Sequence, residues 1–270
     1  MEGLKRPADA GARHWGALAV DPAEPSLPGL KAAFLLSQLP AQGAVLDIGC
    51  GEGKFLGTAA LAHPALRLGG CDIQRPTAKP QGWRFSLIKG RRLPAANASQ
   101  DAALLFDVLE HVPDPAQTLD EAARVLKPGG RLIVFVPVEG QPLSAYALAR
   151  WVLGRDVFVR TKEHIQSYTH AGLHALLERR FRLERAAYAY HPLGQSLDAA
   201  FFAAQVLKPL ARFWWKDNAY YHGPQAGGGL LSRALNVGMK GANALAWAES
   251  RALARVRFGS AGLLASLTKR

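Results

Sequence analysis

The sequence predicts a layered α/β fold with a mostly parallel sheet and a helical insertion before the last strand. Three observations carry that reading. Apolar strand-like runs alternate with amphipathic helical runs from Ser26 onward. A glycine turn, GCGEG, directly follows the first such run, AVLDI (44–48). A final run, GLLASLTK (262–269), returns after two long helical stretches. Strands that alternate with helices need crossover connections, and these lay the strands parallel.

Each element has a local cause. Residues 1–25 mix Pro, Gly and both charges without periodicity and read as a loose arm. Leu30, Ala33, Phe34 and Leu36 form a helical face that ends at Pro40. Lys54–Ala62 continues as a helix after the glycine turn and stops at His63-Pro64. Strand-like runs follow at RLGGCDI (67–73), WRFSLI (83–88), DAALLF (101–106) and RLIVFV (131–136). Between the last two, Asp114 reads as an N-cap with Pro115 at the first helical position. Leu119, Ala122, Ala123 and Leu126 give that helix its apolar face, and Pro128-Gly129-Gly130 stops it. Leu143–Leu153 and Thr169–Arg180 read as helices and RLERAAYAY (182–190) as a strand. Two apolar-basic helical stretches, Ser196–Lys216 and Leu230–Arg257, flank the turn HGPQAGGG (222–229). The organisation expected is therefore an arm (1–25), a sheet domain (26–190 and 259–270) and a helical insertion (191–258).

Composition narrows the class. The 270 residues are 49% hydrophobic and 20% charged, enough for a sizeable core and too apolar for a disordered chain. Cys50 and Cys71 are the only cysteines, which excludes a disulfide framework and points to a reducing compartment. The longest uncharged stretches, Ala32–Leu46 and Asn218–Ser232, fall short of the ~20 apolar residues a membrane span needs. The first residues lack an apolar leader core, so a cytoplasmic placement is expected. The net charge is +12, and ten lysines and arginines face three carboxylates between His191 and Arg270. An anionic partner surface is one reading of that bias, and a solvated helix face is the other.

The glycine loop, Asp47-Ile48-Gly49-Cys50-Gly51-Glu52-Gly53, is the sharpest local feature. A P-loop would need Gly where Ile48 stands and Ser or Thr where Phe55 stands. The dinucleotide fingerprint would need Gly at Lys54. Asp47 and Glu52 would also repel a pyrophosphate. A cationic nucleoside fits better: the ammonium and sulfonium of S-adenosylmethionine suit an acidic loop. Asp72, nineteen residues after Gly53 at the end of the neighbouring strand, is placed to accept bonds from ribose hydroxyls.

VLDIGCGEGKFL, GCDI and LFDVLEHVPDPAQTLDEAARVLKPGGRLIVFVP together resemble the class I S-adenosylmethionine-dependent methyltransferases, in the broad group that includes the ubiquinone-pathway enzymes. EHIQSYTHAGLHALLERRFRLE (163–184) is similar to the family's region before its sixth strand. The resemblance covers roughly Leu30–Tyr190 and specifies the cofactor, not the acceptor. It implies a Rossmann-like seven-stranded sheet with helices on both faces and S-adenosylmethionine across the carboxyl ends of the first strands. It places Asp47, Gly49, Cys50 and Gly51 along the methionine moiety, Asp72 and Ile73 at the nucleoside, and Phe106-Asp107 near the sulfonium. The chain departs from the family at Lys89-Gly90-Arg91-Arg92, where an acidic residue often precedes the Leu-Pro step.

Methyl transfer needs positioning more than acid–base chemistry, but a hydroxyl acceptor gains from a base. Glu110, His111 and His164 are the catalytic candidates, with Tyr146, Tyr168 and His191 as further residues of the acceptor mouth. No metal is assigned. The insertion places Phe201, Phe202, Val206, Leu210 and Phe213 at helical spacing among Lys208, Arg212 and Lys216, ending at Trp214-Trp215. That combination suits an anionic membrane surface or a lipid-linked acceptor, and equally a lid or a homodimer interface. No nucleic-acid module is recognisable. The expected activity is methyl transfer to a small or lipid-linked acceptor with release of S-adenosylhomocysteine. A catalytically silent interaction protein is the alternative, and a nicotinamide-dependent oxidoreductase is disfavoured by Asp47 and Lys54.

Overall fold

The computed structural model describes residues 19–77, 80–142, 144–154, 164–206 and 230–270. Ser26 opens the first helix, α1 (Leu27–Gln38), by accepting the Gly29 N–H at 3.1 Å. β1 (Gly43–Ile48), α2 (Lys54–Ala62), β2 (Leu66–Asp72), β3 (Arg84–Leu87) and β4 (Gln100–Phe106) follow. Asp114 caps α3 (Pro115–Val125) through a 3.0 Å bond from Gln117 N–H, with Pro115 in the first turn. Then come β5 (Leu126–Pro137), α4 (Ala145–Leu153), α5 (His170–Glu178), β6 (Phe181–Ala189), α6 (Pro192–Val206), α7 (Leu230–Ala252) and β7 (Gly262–Lys269).

The strands form one seven-stranded sheet in the order β3-β2-β1-β4-β5-β7-β6. All neighbours are parallel except β7, which runs antiparallel to both β5 and β6. The order reverses between β1 and β4, so the loops leaving their carboxyl ends diverge and open a crevice there. Apolar residues fill both faces. Leu105, Leu119, Val134 and Leu173 pack on the side of α3 and α5, whereas Phe34, Leu56, Ile133 and Phe135 pack on the side of α1 and α2.

Three boundaries differ from the sequence expectation by four residues or more. β5 begins at Leu126, not Arg131, because Lys127-Pro128-Gly129-Gly130 enters the strand through a register shift between Gln100 and Ala102. Gly129 supplies the left-handed backbone (φ 71°) that this bulged entry requires. α6 begins at Pro192, four residues early, since proline tolerates the first helical turn. α7 ends at Ala252, short of Arg257. Residues 1–18 of the expected arm, Leu143, the 222–229 turn and Lys208, Leu210, Arg212, Phe213, Trp214, Trp215 and Lys216 lie outside the described residues.

The two helices between β6 and β7 are tied to each other and to the sheet domain. Glu249 of α7 accepts the Leu193 and Gly194 N–H groups at 2.9 and 2.8 Å, satisfying the start of α6. Tyr146 of α4 donates to Asp198 of α6 at 2.7 Å. His170 lies buried beneath the return to β7, its Nε2 2.8 Å from Ser260 Oγ and its ring edge-on to Tyr188. Burial depresses its pKa to about 4. Between pH 6.5 and about 4 the unfolded chain therefore takes up a proton that the folded chain refuses, and stability falls as pH falls through that window. Denaturant midpoints across that range are expected to drop more steeply for the wild type than for His170→Gln; equal slopes would contradict the assignment.

Candidate active site

β1 delivers its chain into the crevice as Gly49, Gly51 and Gly53, all with left-handed backbone (φ 75°, 50° and 77°). A side chain at Gly49 would meet Val108, and one at Gly53 would fall 2.1 Å from Trp83. The Gly49 and Cys50 N–H groups both donate to the Cys71 carbonyl, at 2.8 and 3.1 Å. Gly51 N–H donates to Asp72 Oδ2 at 2.8 Å, and Gln74 N–H reaches Oδ1 at 3.2 Å. The loop and the Asp72 carboxylate thus form one unit.

Asp47 lies beneath that unit, and burial, reinforced by the nearby Asp72 charge, pushes its carboxyl up to about 8. Glu52 accepts the Thr77 N–H and hydroxyl, the latter at 2.9 Å. Ile73 is 73% exposed beside Asp72, an apolar surface on which a base could rest. Cys50 and Cys71 are buried, and burial raises both thiols, Cys71 to about 12, so both are inert packed groups. At the departure from the family pattern, Lys89 and Arg92 pair as a tight turn. The Leu93 N–H is held by Glu121 at 2.8 Å and its carbonyl by Arg124 at 3.1 Å, so this segment is locked onto α3.

Across the crevice, β4 ends in Phe106 and Asp107. Phe106 packs edge-on to Phe55 at 4.8 Å, with 6% of its surface exposed. Asp107 has a left-handed backbone (φ 55°) and pairs with Lys31 Nζ at 2.5 Å. Lys31 sits 3.8 Å over the Phe135 ring. The sequence reading missed this lysine, which stands on the otherwise apolar face of α1.

The three catalytic candidates come together. Glu110 is 1% exposed and neither carboxylate oxygen has a hydrogen-bond partner. Burial, then the Asp107 charge, raises its pKa well above the usual range. His111 Nε2 lies 3.9 Å from Glu110, and the His111 and His164 rings meet edge-on at 4.9 Å. His164 Nδ1 is 3.0 Å from the buried carboxylate of Glu139, a residue no sequence signal marked. The other expected mouth residues are structural ties: Tyr168 donates to the Leu109 carbonyl at 2.8 Å, and His191 Nε2 lies 2.8 Å from the Val256 carbonyl.

Residues 46–134 match the family profile described as a methyltransferase domain. A ubiquinone biosynthesis O-methyltransferase of Xylella fastidiosa is 32% identical over 166 residues, 52% of this chain and 65% of that protein. The Mycolicibacterium smegmatis protein named "Probable S-adenosylmethionine-dependent methyltransferase" is 32% identical over 186 residues, 64% of this chain and 67% of that one. This chain belongs to the class I S-adenosylmethionine-dependent methyltransferase family. The fold agrees with that of geranyl diphosphate C-methyltransferase from Streptomyces coelicolor, solved with S-adenosyl-L-homocysteine (TM-score 0.53, 14% identity, 90% of this chain and 80% of that one). The chain spans from about a third to two thirds of the length of the curated relatives it matches.

The methyltransferase's glycine loop makes two distinct demands. Gly51 has open space where a side chain would sit, so Gly51→Ala should cost only the left-handed backbone strain, about 1–2 kcal/mol. Gly53→Ala adds the collision with Trp83 and should be markedly less stable. Denaturant unfolding of the two variants, side by side, checks the order; equal losses would overturn this account of the loop.

Proposed function

We propose that this methyltransferase binds S-adenosylmethionine over the Gly49–Gly53 loop and transfers its methyl group to a small or lipid-linked acceptor. The acceptor's lone pair forms the new bond to the methyl carbon as the carbon–sulfur bond breaks, and that electron pair stays on sulfur to give S-adenosylhomocysteine. The observation that carries this reading is the acidic crevice at the sheet's switch point. Asp72 is fixed there by the Gly51 and Gln74 N–H groups, one on each oxygen, and Asp47 lies beneath. Carboxylates so placed favour a ligand with an ammonium, a sulfonium and ribose hydroxyls. An acceptor entering above Asp107 meets the Glu110–His111–His164 cluster, which suits a hydroxyl.

A lipid-linked acceptor at the cytoplasmic face of an anionic membrane agrees with the exposed apolar residues. Trp151 and Val152 on α4, Val237 and Leu245 on α7, and Phe258 beyond it stand in solvent. Arg251, Arg255 and Arg257 accompany the last of these in the sequence. Among the described residues, no helix is long and apolar enough to cross a membrane.

Calorimetric titration with S-adenosylhomocysteine, with NADH in parallel, tests the cofactor. Saturable binding of the first alone is expected, and Asp72→Ala should weaken it by about 1.5–3 kcal/mol. At pH 7 the free protein holds Asp47 protonated, and the incoming ammonium favours its carboxylate. Binding should therefore release a proton, visible as a buffer-dependent heat that Asp47→Asn abolishes. Silence with both ligands would move the interaction-protein reading forward. The membrane reading predicts co-sedimentation with vesicles containing an anionic phospholipid, falling as salt rises; indifference to such vesicles would leave α6 and α7 as a lid or a subunit interface.

A further inference from the structure

We propose that Glu110, His111 and His164 form a binding site for a divalent first-row transition-metal ion beside the methyl-transfer crevice. Each residue offers one ligand atom, and the three atoms lie within 4.8 Å of one another. The donors come from two segments that fold against each other: the turn after β4 and the approach to α5, joined by a 3.0 Å bond from Gln166 N–H to the Glu110 carbonyl. Two imidazoles and one carboxylate with further positions open are a donor set suited to zinc, cobalt, iron or nickel, and poorly suited to magnesium or calcium.

Two independent features point to a cation there. The Glu110 carboxylate is sealed from solvent with neither oxygen hydrogen-bonded, an arrangement that burial makes costly unless a cation meets it. His164, in turn, is oriented from behind. Glu139 engages its Nδ1 at 3.0 Å, which directs the lone pair of Nε2 to the opposite side of the ring, as histidine ligands of metals are usually held. Arg150 fixes that support by donating to the Glu139 carbonyl at 2.6 Å. Three protein donors leave at least one coordination position of such an ion for an exchangeable oxygen ligand. A hydroxyl acceptor could fill that position and become more acidic there. Occupancy of the site stands on its own residues, and only the acceptor-holding role rests on the methyl-transfer reading.

Titration of the metal-free, full-length protein with Co2+ tests the site, followed by calorimetry and visible absorption, with S-adenosylhomocysteine titrated in parallel. A single Co2+ per chain with d–d bands of low-symmetry coordination, displaced by Zn2+, is the expected result. Glu110→Gln should lower cobalt affinity at least tenfold. Glu139→Gln, which leaves all three ligands in place, should lower it roughly 10–100-fold and perturb the bands. If Glu110→Gln fails to fold, Glu139→Gln alone decides. No saturable cobalt binding, or binding unchanged in both variants, overturns the site. A protein that binds S-adenosylhomocysteine but not cobalt would refute the metal and leave the methyltransferase reading standing. Cobalt without S-adenosylhomocysteine would support the site and remove its acceptor role.

Discussion

The hydrogen bond from Gly51 N–H to Asp72, at 2.8 Å, joins the ends of two neighbouring strands and sets the geometry around it. β1 and β2 are parallel and in register, with Ile48 opposite Cys71, so both chains leave the sheet side by side. Asp72 follows at once, while the other chain must turn back sharply enough to present its N–H groups. Only glycine makes that turn without cost at three left-handed positions. Trp83 then fills the space that the bare Gly53 leaves, which anchors the start of α2 to the β3 side of the sheet. The crevice is therefore a product of strand register as much as of the residues that line it.

A basic protein with an acidic crevice carries a local field opposite to its overall charge. Asp47, Asp72, Asp107 and Glu110 converge on the carboxyl ends of β1, β2 and β4, and Lys31 meets one of them directly. Buried carboxylates raise the free energy of the fold unless a cation approaches them. At the rim the roles are exchanged: the exposed Asp107 supplies the counter-charge for the buried Lys31, which is also held against the Phe135 ring. At Asp47 and Glu110 the raised pKa values record the same tension left in place. Stability given up there becomes binding energy for whatever positive group enters.

What the sequence made legible was local. AVLDI, the glycine loop and GLLASLTK declare themselves because alternation, turn chemistry and capping act over a few residues, and GLLASLTK coincides with β7. The cofactor candidates Gly51 and Asp72 lie close enough to be bonded to each other. Juxtapositions across long separations were not legible. Lys31 meets Asp107 76 positions away only because α1 crosses the ends of β4 and β5. Glu139 reaches His164 through the path of the chain after β5, and nothing in either segment announces the other. The Pro128-Gly129-Gly130 stop was read correctly for the helix, but the same residues also begin β5, since a bulge lets a strand absorb what a helix cannot.

β7 lies between β5 and β6, although it follows both in the chain. While the protein is being synthesised, β5 and β6 emerge with facing edges that cannot yet be bridged. More than seventy residues, including α6 and α7, must leave the ribosome before the strand that joins them exists. Closure of the sheet is thus postponed until β7 has been made, and until then β6 is an unpaired edge of the kind that invites association with other chains. The insertion's length determines how long that exposure lasts, so its size is a matter of folding kinetics as well as of whatever its helices bind.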